Sequence, residues 1–127
     1  MNIRWTAVIS GFMADFALTI ILQVMIIATG QSAVFTEPSW QNPIHVLLIL
    51  CGASLTGLGG FVAGWLTDNA FAIHGLLVGV VGILVAALAN VGIEVPRLLL
   101  LGQVLGCILG ALGGAIAGRM HKTSKIG

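Results

Sequence analysis

Charge is nearly missing from this chain. Only 7% of its 127 residues are Asp, Glu, Lys or Arg, against about a quarter in an ordinary soluble domain. With 58% hydrophobic residues, too little polar surface is left to face water, which excludes a water-soluble domain. The formal net charge of +1 gives no electrostatic footprint for nucleic acid. Tyrosine is absent. The two cysteines, Cys51 and Cys107, lie inside apolar runs with no CxxC pair and no ligands nearby. They read as small packing residues rather than a disulfide or metal site. There is no nucleophile–base pair and no zinc spacing, so no enzyme activity is expected. Period-two alternation is missing too, and lipid satisfies no open sheet edge, which excludes strands.

What the chain does have is length of apolar sequence and glycine. Four apolar stretches run over residues 5–29, 44–66, 70–93 and 98–118. A helix needs about 20 residues to cross the hydrocarbon core, and each stretch meets that. The expectation is a single all-α membrane domain over 1–127, a bundle of four transmembrane helices arranged as two helical hairpins. The breaks are polar. Glu37, Pro38, Ser39, Asn42 and Pro43 mark the first loop. Thr67, Asp68 and Asn69 form a tight turn, with Asp68 or Asn69 expected to cap the third span. Pro96 suits the start of the fourth.

Basic residues predict the orientation. Arg4, Arg119, Lys122 and Lys125 share one side with both termini, while the other side has only Arg97. The positive-inside rule then puts both ends in the cytoplasm of a bacterial inner-membrane protein. Trp5, Trp40 and Trp65 fall near the expected interfaces, where indole rings prefer to sit. The first stretch exceeds a signal-peptide core and is interrupted by Asp15, so it reads as a retained helix.

Glycines recur in rows. Gly102, Gly106, Gly110, Gly114 and Gly118 are spaced by four along the whole fourth span. Gly52, Gly60 and Gly64, with Thr56 between them, keep the same rhythm in the second, and Gly75 and Gly79 begin it in the third. Residues four apart share a helix face. A row of glycines is therefore a groove for another helix, within the bundle or on a partner subunit. Gly52, Leu55, Leu58, Gly59, Gly60, Ala63 and Gly64 also match Gly106, Leu109, Leu112, Gly113, Gly114, Ala117 and Gly118 at constant offset. That match raises the possibility of duplicated hairpins.

Polar residues inside the spans are few. Asp15 lies eleven positions beyond Arg4, roughly 16 Å deep at 1.5 Å per residue. Ionised there, it costs several kcal/mol unless paired or hydrated. Gly11, Asp15, Thr19 and Gln23 form the only polar i, i+4 row of this span. Its roles are proton carriage, a helix-packing hydrogen bond, or contact with another subunit. Gln103, Asn90, Ser54 and Thr56 are interhelical hydrogen-bond candidates. His74, followed by Gly75, is a candidate haem or pigment ligand, as is His45; an interfacial or capping histidine is the expected alternative, and no cofactor is assigned.

Gly59-Gly60-Phe61-Val62-Ala63-Gly64, followed after a short turn by His74-Gly75-Leu76-Leu77-Val78-Gly79, resembles a pattern in a family of small four-helix bacterial membrane proteins of unknown function. The likeness covers the second and third spans, and it implies the layout but no activity. An acidic residue in the first span is also a feature of small multidrug transporters, though theirs is glutamate and their site aromatics lack clear counterparts here. Fluoride channels are similar in length, but their asparagine and phenylalanine motifs are not evident.

The function expected from sequence is a non-catalytic accessory subunit of a larger bacterial membrane complex, respiratory or photosynthetic, docked through glycine grooves on other transmembrane subunits. The alternatives are a small homo-oligomeric transporter or channel using Asp15, and a pigment- or quinone-contacting subunit using His74 or His45.

Overall fold

A computed structural model describes residues 2–126, and everything in it beyond turns and loops is helix. Five helices follow one another: α1 (Trp5–Ala28), the single-turn α2 (Ala33–Thr36), α3 (Pro43–Trp65), α4 (Phe71–Ala89) and α5 (Arg97–Ile126). The helices α1, α3, α4 and α5 are long and apolar enough to cross a membrane. Their side chains are sorted as a bilayer requires. Small residues such as Ala7, Ala53, Ala63 and Ala117 fill the interior, while Leu47, Leu84, Leu101 and Ile116 face outward, and Leu88 is 76% exposed. In water this surface would be one continuous sticky patch. The chain is a multi-pass membrane protein.

Local chemistry sets the helix ends. At the close of α1, Gly30 takes φ +78°, and the amides of Gly30 and Gln31 return to the carbonyls of Ile27 and Ile26. This is a Schellman stop, which needs a residue free to adopt the left-handed region. Asn42 starts α3 by accepting from the Ile44 amide at 3.0 Å, with Pro43 in the first turn. The expected cap by Asp68 or Asn69 is not made. Ala70 itself holds the N-cap of α4 in the left-handed region (φ 48°) without a side-chain cap. Asp68 and Asn69 stand two and one positions before the cap, outside the capping position. Asp68 points instead at Arg4 at 3.7 Å, and the Asn69 carbonyl accepts from Thr67 at 3.3 Å. The helix α4 ends at Ala89, before the expected 93, because Asn90 folds its amide onto the Ala86 carbonyl (2.8 Å) and Gly92 turns the chain at φ +81°. At the other extreme, α5 runs straight past Gly118. Its 30 residues span roughly 45 Å, more than the ~30 Å hydrocarbon core, so its last turns extend beyond the membrane.

The helices alternate in direction, so both termini and the 66–70 turn share one end, here the terminal end; the other is the distal end. The helices α3, α4 and α5 form a close trio, with α1 against α3 and α4. The glycine rows make this possible. A β-carbon on Gly60 would fall on the backbone of Gly110, and one on Gly64 on that of Gly114. One on Gly75 would strike Gly110 and Gly114, and one on Gly11 would strike Gly59 and Ala63. The matched glycines of α3 and α5 nonetheless face different neighbours. Gly59 opposes Gly11 of α1, whereas its counterpart Gly113 opposes Gly57 of α3. The shared rhythm answers the shared need for close approach, and its two copies sit in unlike surroundings.

A polar latch closes the terminal end. His74 is fully buried. Its Nδ1 lies 2.9 Å from the Ala70 carbonyl, which can only accept, so this nitrogen carries the proton. Nε2 then accepts from the Arg4 amide at 2.9 Å, with the Thr67 hydroxyl at 3.3 Å. One ring thereby joins the start of α1, the 66–70 turn and the first turn of α4. Replacing it with Leu leaves the Arg4 amide without its acceptor, at about 1–3 kcal/mol for the one unsatisfied group, while the Ala70 carbonyl and the Thr67 hydroxyl keep their other partners. His74→Leu is therefore expected to melt earlier in detergent, and Asp68→Ala, which removes only the exposed carboxylate's contacts with Arg4 and His121, to shift by under about 1 kcal/mol. Equal melting of the two variants would refute the latch.

Candidate functional site

The glycine contacts cluster toward the terminal end, and toward the distal end the helices splay. A cavity of about 540 Å³ opens between α1, α3, α4 and α5. It runs from Asp15, near the middle of α1, to Val34, Phe35, Glu94 and Pro96 at the distal loops. On the terminal side of Asp15 the bundle is sealed by Gly11 against Gly59, Ala63 and Val78, and by Gly60 and Gly75 against Gly110.

Asp15 sits at the inner end of the cavity and is 7% exposed. Its burial depends on Gly59, because a β-carbon there would lie 2.8 Å from the Asp15 Cβ. One turn along α1, the Thr19 hydroxyl donates to Asp15 Oδ1 at 3.1 Å. Thr56 of α3 stands on the same wall, and Gln103 of α5, Gln23 of α1 and Asn90 after α4 complete the polar lining. The rest is apolar, including Phe12, Phe16 and Phe35. No Arg, Lys or His is among the lining residues, and Glu94 is the one other ionisable group.

The structure therefore brings together Asp15, Thr19, Gln23 and Gln103, and separates His74 from them. With Nδ1 donating to Ala70 and Nε2 accepting from Arg4, the His74 ring has no free nitrogen for a metal. That removes the geometric basis for haem or pigment ligation there. His45 is buried and accepts the Ser39 amide on Nδ1 at 3.2 Å, pinning the first loop to α3. Among the described residues no three His, Cys, Asp or Glu side chains gather as a metal site.

The glycine candidates divide in two. Gly60, Gly64, Gly75, Gly110, Gly114 and Gly118 are in close contact with other helices, Gly79 meets Cys107, and Gly106 meets Thr56. Gly52 is corrected: a β-carbon there would meet nothing within 4 Å, and the residue lines the cavity. Gly102 also lines it, with only the Ile49 side chain close by. Phe12, Phe16, Phe35 and Glu94 also line the cavity. The spacing of Phe12 and Phe16 around Asp15 was the available signal; their rings are 5.8 Å apart. Phe35 lies in the single-turn α2 and Glu94 in the α4–α5 connection, and neither carries a periodic signal.

Compared with protein-family models, curated proteins and solved structures, the chain gives no match.

Proposed function

We propose that this chain is a small secondary transporter of the bacterial cytoplasmic membrane, with Asp15 as its solute- and proton-binding group. The observation that carries this reading is a half-membrane cavity with one carboxyl group at its closed end and a polar lining drawn from α1, α3 and α5, with Asn90 just past α4. A carboxylate with no basic neighbour is costly in a bilayer. Such groups typically mark ion and proton pathways. The closed terminal half favours a transporter over a channel, because a channel needs a continuous path and here glycine backbones meet. With the basic residues on the cytoplasmic side, the cavity opens away from the cytoplasm.

Most of the glycine grooves that could receive partner helices are filled from within the chain, which favours the transporter reading over an accessory subunit. No covalent chemistry is assigned.

The test is reconstitution into liposomes loaded with a pH-sensitive dye and holding a pH gradient. Amines, carboxylates and neutral amphiphiles are added in turn. At least one class should collapse the gradient faster than in protein-free liposomes. If none does, and mild extraction recovers the chain in fixed stoichiometry with large membrane subunits, the transporter reading fails and the accessory role returns.

A further inference from the structure

A second cleft lies at the terminal end, and we infer that it binds one anionic phospholipid per chain. Arg119 and Lys122 hold the headgroup phosphate, and an apolar lower wall receives the start of the acyl chains. The cleft shares no lining residue with the Asp15 cavity, so this inference does not depend on the transporter reading. Three observations carry it.

The first is level. The cleft, about 550 Å³, runs between the start of α4 with its preceding turn and the later turns of α5. Gly118 brings the two walls together, since a β-carbon there would lie 2.5 Å from the Phe71 ring. His121 fixes the height in the membrane. Its ring packs edge-on against Trp65, the last residue of α3, with centroids 5.7 Å apart. It also lies 6.2 Å from the ring of Phe71, the first residue of α4. Arg119 and Lys122 flank His121 on α5, so they stand where two spans end together. That is the edge of the hydrocarbon core, and the exposed Trp65 indole is the kind of side chain that settles there.

The second is charge. Arg119 and Lys122 are three residues apart, on one face of α5, and both line the cleft. Asp68 is the one acidic residue of the lining, and it is engaged by Arg4 at 3.7 Å and His121 at 4.0 Å. Among the described residues no carboxylate comes within 4.0 Å of Arg119 or Lys122. A phosphate satisfies both cations, because a guanidinium grips two of its oxygens and an ammonium adds a point charge. A choline or ethanolamine group would bring a further positive charge beside them, with only the occupied Asp68 to meet it.

The third is the gradient of polarity. From this end α4 and α5 both lead into the membrane. Ile73 and Ala115 therefore line the deeper part of the cleft, and Asn69 and Lys122 the outer part. On the adjoining face of α5, Leu112, Ile116 and Met120 are exposed. They are spaced by four and form one apolar row that an acyl chain can follow. A free phosphate ion would use only the outer part; a phospholipid matches both. Basic pockets between transmembrane helices are known receivers of anionic headgroups.

The experiment titrates purified full-length protein in a neutral detergent and counts bound molecules by native mass spectrometry. The probes are phosphatidylglycerol, phosphatidylcholine with the same acyl chains, and inorganic phosphate. A neutral micelle has no anionic surface, so only contacts with the bound headgroup contribute. One phosphatidylglycerol per chain is expected, held at least about tenfold better than phosphatidylcholine. A basic contact is worth about fivefold in affinity. Arg119→Gln and Lys122→Gln should each weaken binding by about that factor, and the pair by about thirtyfold. Lys125→Gln, which replaces a basic residue outside the lining, should change it by under about twofold. Excess inorganic phosphate should not displace the lipid. Both replaced side chains belong to exposed residues, and the helical circular dichroism should be unchanged; the single variants keep the test if the double one misfolds. Equal retention of the two lipids, no saturation at one lipid, a Lys125→Gln effect equal to that of the pair, or displacement by inorganic phosphate would overturn the assignment.

Discussion

Gly75→Ala should destabilise the bundle by about 3 kcal/mol or more, a large part of the ~5–15 kcal/mol that holds a typical domain together. The added β-carbon would meet the carbonyl of Gly110, with the Gly110 carbonyl carbon 2.9 Å away and the Gly114 amide nitrogen at 3.0 Å. All of these are main-chain atoms of α5. A crowded side chain can change rotamer, but a crowded helix backbone moves only as a whole. Moving α5 away from α4 also breaks its contact with α3, because Gly110 receives Gly60 on its other flank. The penalty is therefore shared by two interfaces. Gly106→Ala is the intermediate case. Its nearest neighbour is the Thr56 hydroxyl at 3.3 Å, a side chain able to shift, and the expected loss is under about 1 kcal/mol. Gly82→Ala and Gly52→Ala meet nothing within 4 Å. They should hold or raise stability, since alanine is favoured over glycine in a helix by up to about 1 kcal/mol. Thermal unfolding in detergent, followed by helical circular dichroism, ranks the four. If Gly75→Ala melts with Gly82→Ala, backbone contact is not what joins these helices.

The gradation within one glycine rhythm marks the limit of what the sequence discloses. Spacing by four puts Gly52, Gly60 and Gly64 on one stripe of α3, and that much is helix geometry. Where two helices diverge is decided by their crossing, and a single-helix pattern holds no information about that. Gly60 and Gly64 lie near the crossing and are tightly packed; Gly52 lies on the splayed half and faces open space. The same reasoning explains the candidate site. Asp15, Thr19 and Gln23 were legible as one row because they share a helix. That Gln103 faces the same space required the register between α1 and α5, which no periodicity encodes. The spans themselves were legible because lipid leaves so few alternatives for an uncharged chain. α4 ends sooner than its apolar sequence predicts, because Val91 and Ile93 sit in a turn dictated by Asn90 and Gly92. The function of His74 was hidden for a similar reason. Its partner on Nε2 is a main-chain amide seventy positions away, and every residue has such an amide, so no side chain advertises the contact.

Asp15→Asn should abolish proton-linked flux while leaving the fold in place. The two side chains have nearly the same shape, and the amide oxygen can accept the Thr19 hydroxyl as Oδ1 does at 3.1 Å. The surrounding Gly59 wall is unchanged, so the melting temperature should correspond to within about 1 kcal/mol of the parent. What disappears is the titratable charge. An amide releases no proton, and the cavity lining has no second group at that depth to replace it, since Glu94 is at the mouth. Residual flux should fall to that of protein-free liposomes. Asp15→Glu separates charge from geometry. It keeps the carboxyl but moves it by about one carbon–carbon bond, roughly 1.5 Å, so it should retain a reduced flux and lose the close fit to Thr19. Flux in Asp15→Asn equal to that of the parent would show that the proton travels elsewhere, and this carboxyl would then be a packing residue.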